Sequence, residues 1–281
     1  MKVYKLGGIL LLSLILVGCG NGNADKSKLS SESKTTMQNS SSASSSSQTS
    51  KQAAASSSNA ASSSSATTKT SGSQANDNYD FSSLTKQLAS QLPGTKLPQA
   101  SGLSQSSKAV HIRYTGNSAN NTIYYSLGNE GLKLNDASIK SESAYAVLSK
   151  KTYDSAHAAQ QELDYTSPQA NKGLPKINLG HSIVGHIQGG AGQQYISWNE
   201  GNWSVNVHGS KVNNTSPRKS AKTMAAMFDT YALPAPKNQG TIKFSVGTGQ
   251  DQTIAWQENN VIYTLKTNDQ AVGIRMAASI K

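Results

Sequence analysis

Ile196-Ser197-Trp198-Asn199-Glu200-Gly201-Asn202-Trp203-Ser204-Val205-Asn206-Val207 decides the fold, because a version of it returns as Ile254-Ala255-Trp256-Gln257-Glu258-Asn259-Asn260-Val261-Ile262-Tyr263-Thr264-Leu265. Apolar residues alternate on either side of a Glu-Gly-Asn or Glu-Asn-Asn turn, which reads as a β-hairpin. A four-residue loop places Trp198 opposite Trp203 and Trp256 opposite Val261. Ile196 then meets Val205, and Ile254 meets Tyr263. All of these fall on one face, as a hairpin with one buried side requires. The three tryptophans are therefore expected in the core.

Working outward, each hairpin precedes a helical pattern. In the first, Ser216 caps, Pro217 takes the first helical position, and Ala221, Met224, Ala225, Phe228 and Tyr231 form the apolar stripe. In the second, Asn268 or Asp269 starts a run bearing Val272, Met276 and Ile280. Upstream of the first hairpin, Ile183 and Ile187 face inward if Gly189-Gly190-Ala191-Gly192 is a four-residue loop. The second copy, with Ile242, Phe244 and Val246, needs a loop of different parity. The unit is strand-strand-strand-helix, at about 178–234 and 238–281, with a degenerate first copy at about 108–165. In that copy Val110, Ile112 and Tyr114 alternate, as do Ile123, Tyr125 and Leu127. Tyr145, Val147 and Ser149 suggest a third strand, and 154–163 a short helix. A further helix starts at Asp80, carries Phe81, Leu84, Leu88 and Leu92, and stops at Pro93. The fold class is α+β, an antiparallel sheet shared by the units and covered by helices.

This folded part spans 78–281. Before it, residues 29–73 hold 20 Ser and 6 Thr with no aromatic residue and no proline. Such a stretch buries too little apolar surface to offset its ordering entropy, so 19–77 reads as a disordered linker. Ahead of it, Lys2 and Lys5 precede an apolar run from Leu6 to Val17, too short to span a bilayer and suited to a signal-peptide core. The run ends in Leu16-Val17-Gly18-Cys19, which resembles the lipobox of bacterial lipoproteins. The resemblance implies removal of 1–18, a diacylglyceryl thioether on Cys19, and a mature protein anchored on the outer face of the cytoplasmic membrane. The long tether favours a Gram-positive wall into which the domain extends. Cys19 is the only cysteine of the chain, so the folded part has no disulfide, cysteine nucleophile or cysteine metal ligand.

The Trp198…Trp203 and Trp256…Tyr263 hairpins, each with its Gly turn and helix, resemble a domain of unknown function in Gram-positive, lactobacillus-type surface lipoproteins. They are also similar to ectodomains of some membrane-bound anti-sigma factors. The resemblance covers roughly 145–281 and implies a sensory or binding ectodomain without catalytic residues.

The chain carries a net charge of +11; from residue 78 on, 19 Lys and Arg face 12 Asp and Glu, a net +7. Lys211, Arg218, Lys219 and Lys222 gather at the start of the Ser216 helix. Cations there oppose the helix dipole unless an anion is present, and free backbone N–H groups beside them suit phosphate or carboxylate. Teichoic acid and lipid headgroups are the envelope polyanions this predicts. Export makes nucleic acid an unsuitable partner. A second candidate patch lies on the outward face of the first unit, with Val184, His186, Tyr195 and Ser197; His186 and Tyr195 are its leading residues.

The five histidines have no metal-ligand spacing, and no metal or cofactor is expected. Ser83-x-x-Lys86 and Ser216-x-x-Lys219 match a serine-lysine pattern without its companion motifs. Glu162 and Asp164 do not face each other on a helix. The expectation is a non-catalytic, membrane-anchored binding protein of the cell envelope that contacts anionic wall polymer. Its alternatives are a chaperone-like handler of lipid or peptide and a wall-active hydrolase.

Overall fold

A computed structural model describes residues 79–247 and 252–281. The leader, Cys19 and the Ser-rich stretch lie outside the described residues. Among the described residues four α-helices and ten strands follow one another as α1 (Phe81–Gln91), β1 (Ala109–Gly116), β2 (Asn121–Gly128), β3 (Ala146–Thr152), α2 (Ala156–Glu162), β4 (Lys176–Gly180), β5 (Ile183–Gly190), β6 (Gln193–Glu200), β7 (Trp203–Ser210), α3 (Pro217–Thr230), β8 (Gly240–Ser245), β9 (Gln252–Glu258), β10 (Val261–Thr267) and α4 (Gln270–Ala278). The strands form one sheet in the order β1-β2-β3-β10-β9-β8-β7-β6-β5-β4. Every neighbouring pair is antiparallel except β7 and β8, which run parallel. The parallel pair follows from chemistry along the chain, since α3 is the crossover between those two strands and a crossover returns the chain in the same direction.

Both hairpins turn on two residues rather than four. Trp198 pairs with Val205 and Glu200 with Trp203; Trp256 pairs with Tyr263 and Glu258 with Val261. The first loop residue is in the left-handed region in each, Gly201 at φ 55° and Asn259 at φ 59°, a conformation that Gly and Asn adopt most readily. The expected four-residue register is thus displaced by two, which leaves every side chain on its expected face. The Gly189–Gly192 turn shortens likewise, with Gly190 paired to Gln193 and Ile187 to Ile196. In the third unit Ile242 pairs with Ile254, giving the connection to β9 the opposite parity.

One sheet face is apolar. Ile112, Ile123, Leu148, Ile196, Val207, Ile242, Ile254 and Leu265 are all fully buried there, under α1, α3 and α4. Trp198 (1% exposed), Trp203 (8%) and Trp256 (4%) belong to this core. Trp198 packs on Phe228 of α3 and Trp256 stacks on Tyr263. Each helix is started by a side-chain cap: Asp80, Ser155, Ser216 and Asp269 each accept a hydrogen bond from a first-turn N–H. Tyr231 stands at the α3 C-cap and is exposed, so the stripe ends at Phe228.

Strand β3 departs from the sequence reading. Its inward residues are Ala146, Leu148 and Lys150, whereas Val147 and Ser149 face the other way. Lys150 is tolerated because its Nζ donates to the carbonyls of Gly94 (3.0 Å) and Ser118 (2.6 Å). Burial holds its pKa below the usual lysine value.

Candidate binding surfaces

The second face of the sheet is polar, and alternation makes it so. One cross-strand row reads Asn199, Ser204, Thr241, Ala255, Thr264, Ser149, Thr122 and Thr115. The next begins His186, Ser197, Asn206, Lys243, Thr253 and Lys266. Residues 156–171 cross this face. Ala159 and Leu163 pack on Ala255 and Ile262. Gln257 Nε2 donates to the Ala156 carbonyl (2.7 Å), and Asn199 Nδ2 to that of Thr166 (2.9 Å). Ser197 Oγ donates to Asn171 Oδ1 (2.8 Å), and Asp164 pairs with Lys243.

Beside this crossing lies a groove of 710 Å³. Its floor is the row Gln188–Tyr195–His208–Ser245 together with Asn206 and Lys243; Asp164 and Thr166 form one wall. Gly189 and Gly190 at the other end carry no side chain to close it. The Tyr195 and His208 rings lie 4.8 Å apart between centroids at 31°. His208 Nε2 is 2.7 Å from Gln193 Oε1, which accepts only if that nitrogen carries the hydrogen. Nδ1 then faces Ser245 Oγ, at 3.5 Å.

The expected patch is divided by the crossing segment. Tyr195 is half-buried in the groove. Ser197 is buried beneath Asn171, and His186 Nδ1 is enclosed without a hydrogen-bond partner. Val184 stays exposed. His186 and Tyr195 share a face but sit in adjacent rows. None of the groove residues Asn206, His208, Lys243 and Asp164 was assigned to a site from sequence, where Asp164 was weighed only as a carboxylate that does not face Glu162. The first two were legible as the polar alternates of Val205 and Val207; the others depend on a crossover and a crossing segment that periodicity does not encode.

Lys211, Arg218, Lys219 and Lys222 are all exposed at the β7–α3 connection and the first turns of α3. None of them makes an ion pair with another described residue. Next to Lys219 a hydroxyl-rich depression of 410 Å³ is lined by Ser216, Ser220, Thr223, Asn268, Asp269 and Gln270, among others. The Arg218 N–H faces Ser216 Oγ at 3.5 Å, and α4 is capped by Asp269, whose Oδ1 accepts from Val272 N at 2.9 Å.

A third depression, of 270 Å³, lies between the β6–β7 hairpin end and α3 and is lined by Trp203, Val205, Phe228, Leu233 and Ile242. It falls below the roughly 300–1,000 Å³ of small-molecule pockets. Among the described residues no group of three or more His, Cys, Asp or Glu could hold a metal ion, and no helix is long and apolar enough to cross a membrane.

His111 takes part in a separate network. Its Nδ1 lies 3.0 and 3.1 Å from the two Glu142 carboxylate oxygens, its Nε2 lies 2.7 Å from the Glu130 carbonyl, and Ser126 Oγ donates to Glu142 at 2.6 Å. Both ring nitrogens face acceptors, so the two bonds are made together only by the imidazolium. Desolvation pushes the Glu142 carboxyl up, but the Ser126 and His111 hydrogen bonds outweigh it and hold the pKa below the usual carboxylate value. This clamps the β2–β3 connection to β1.

No family model matches the chain, and no curated protein or solved structure is significantly similar to it.

Proposed function

We propose that this is a lipid-anchored binding protein of the cell envelope whose ectodomain contacts anionic wall polymer without transforming it. The lipobox-like Leu16–Cys19 supports an anchor on Cys19 at the outer face of the cytoplasmic membrane, with 1–18 as its signal peptide. Residues 20–77 serve as the tether; at about 3.3–3.6 Å per residue they reach roughly 200 Å when extended. The folded part arises by repetition of one strand-strand-strand-helix unit, β5–β7 with α3 and β8–β10 with α4; β1–β3 with α2 is a degenerate copy whose helix packs on the opposite face of the sheet. The observation that carries the binding reading is the exposed Lys211, Arg218, Lys219 and Lys222, without a carboxylate partner among the described residues.

A hydrolase is supported less well. Among the described residues Asp164 is the only acid lining the 710 Å³ groove, whereas retaining and inverting glycosidases use two carboxyls. An amide, Gln193, orients His208, and it cannot stabilise an imidazolium as a carboxylate does.

The test is co-sedimentation of the chain lacking 1–19 with purified Gram-positive walls, before and after removal of teichoic acid, over a salt series. Binding that needs teichoic acid, weakens with salt and falls with Lys219→Ala/Lys222→Ala supports the reading. Sedimentation with neither wall preparation at low salt sinks it.

A further inference from the structure

Charge balance separates the groove from the α3 cations. Among the described residues Lys243 is the only Lys or Arg lining the groove and Asp164 the only acid, and the two are paired, so their charges offset. What it does present is uncharged hydrogen-bonding capacity. Among the described residues the Gln188 and Asn206 amides and the Tyr195 hydroxyl have no hydrogen-bond partner, although all three line the groove. Each amide offers two donors and an acceptor, and the phenol one of each kind. These groups border the Tyr195 and His208 rings, so an apolar surface lies within reach of polar contacts.

A ligand matching this surface has flat C–H faces, many hydroxyl or acetamide groups, an extended shape and no need of a counter-charge. We propose that the groove between residues 164–166 and strands β5–β8 is a binding site for an uncharged saccharide chain. A sugar face packs on Tyr195 and His208, while ring substituents exchange hydrogen bonds with Gln188 and Asn206. The groove volume of 710 Å³ lies within the usual range for ligand sites and leaves room for more than one sugar unit. Its open Gly189–Gly190 end lets a chain continue past the protein. The site differs in place and in chemistry from the cation cluster proposed for polyanions, so each stands or falls independently.

The experiment is isothermal titration of the chain lacking 1–19 with two probes, a β-1,4-linked N-acetylglucosamine tetramer and an α-1,4-linked glucose tetramer. Amide-proton shift mapping serves as a second readout. Binding of at least one tetramer is expected, with shifts at Gln188, Tyr195, Asn206 and His208. Raising NaCl to about 0.5 M should change affinity less than about twofold, since no ion pair forms. Tyr195→Ala should weaken it at least about tenfold, Gln188→Ala measurably, and Lys219→Ala/Lys222→Ala not at all. Tyr195→Phe, which keeps the ring and cannot empty the site by misfolding, should retain most of the affinity. The proposal is overturned if neither tetramer binds at about 10 mM, if Tyr195→Ala and Gln188→Ala both bind as the parent does, or if binding vanishes with salt.

Discussion

Replacing Glu142 by Gln should cost the ectodomain about 2 kcal/mol. The carboxylate accepts from Ser126 Oγ at 2.6 Å and lies 3.0 and 3.1 Å from His111 Nδ1, with His111 only 2% exposed. A hydrogen bond to a charged group contributes about 1.5–3 kcal/mol, and breaking a fully buried ion pair costs about 3–5. The Glu142 side chain is 29% exposed, so solvent screens part of this and the lower figure applies. Two-state thermal unfolding should place the variant about 4–8 °C below the parent, at 2–4 °C per kcal/mol for a domain of this size. The pH dependence has a definite sign. Because the folded-state carboxyl has a lowered pKa, its stabilisation is present above the unfolded glutamate value of about 4.3 and is lost as pH falls through the folded value. The gap between parent and variant should therefore narrow in acid. A gap under about 0.5 kcal/mol at neutral pH, or one that persists unchanged to about pH 3, would refute the network as the clamp on the β2–β3 connection.

Two more substitutions probe the sheet. A Cβ at position 240 would lie 2.3 Å from Trp203 Cε3 and 2.4 Å from Cζ3, so Gly240→Ala should destabilise by about 1–3 kcal/mol through overpacking, checked by urea unfolding with an unchanged m value. Lys150→Met removes the ammonium that donates to the Gly94 and Ser118 carbonyls, leaving the former only the Tyr263 hydroxyl, and hydrogen exchange should speed up in those two turns, most at Ser118, before it does in β3 itself.

The hairpin pattern predicted the burial of all three tryptophans even with the wrong loop length, because moving a register by two residues returns each side chain to its own face. The apolar-to-apolar pairing of Trp198 with Trp203 looked favourable in isolation. The observed pairing puts Glu200 beside Trp203 at the hairpin end, where the carboxylate remains exposed, and lets Gly201 take the tight turn. Strand β3 was harder to read, since a lysine occupies an inward position there and is satisfied by carbonyls far away in sequence. Strand β4, with only Ile177 and Leu179 as apolar residues, gave too short a signal. Nothing local encodes the adjacency of β3 and β10, which joins the first unit to the last across more than a hundred residues.

Both proposed contact surfaces lie where the sheet changes its rule. At the β7–β8 junction the two strands end on the same side, His208 opposite Ser245, and neither C-terminal end is closed by a hairpin to the other. Open parallel ends are where α/β sheets place their ligands, because connections diverge there and leave a crevice. Here the chain leaves β7 for α3 on the apolar face, carrying Lys211, Arg218, Lys219 and Lys222 to that side. The polar face keeps Tyr195 and His208. Ser245 lines both the groove and the depression beside Lys219, so the two surfaces meet at one residue on opposite sides of the sheet end. A polymer alternating sugars with phosphates has the chemistry of both in one chain. Engaging the second surface would then be intramolecular, and its contribution would depend on spacing along the polymer rather than on the strength of either contact alone.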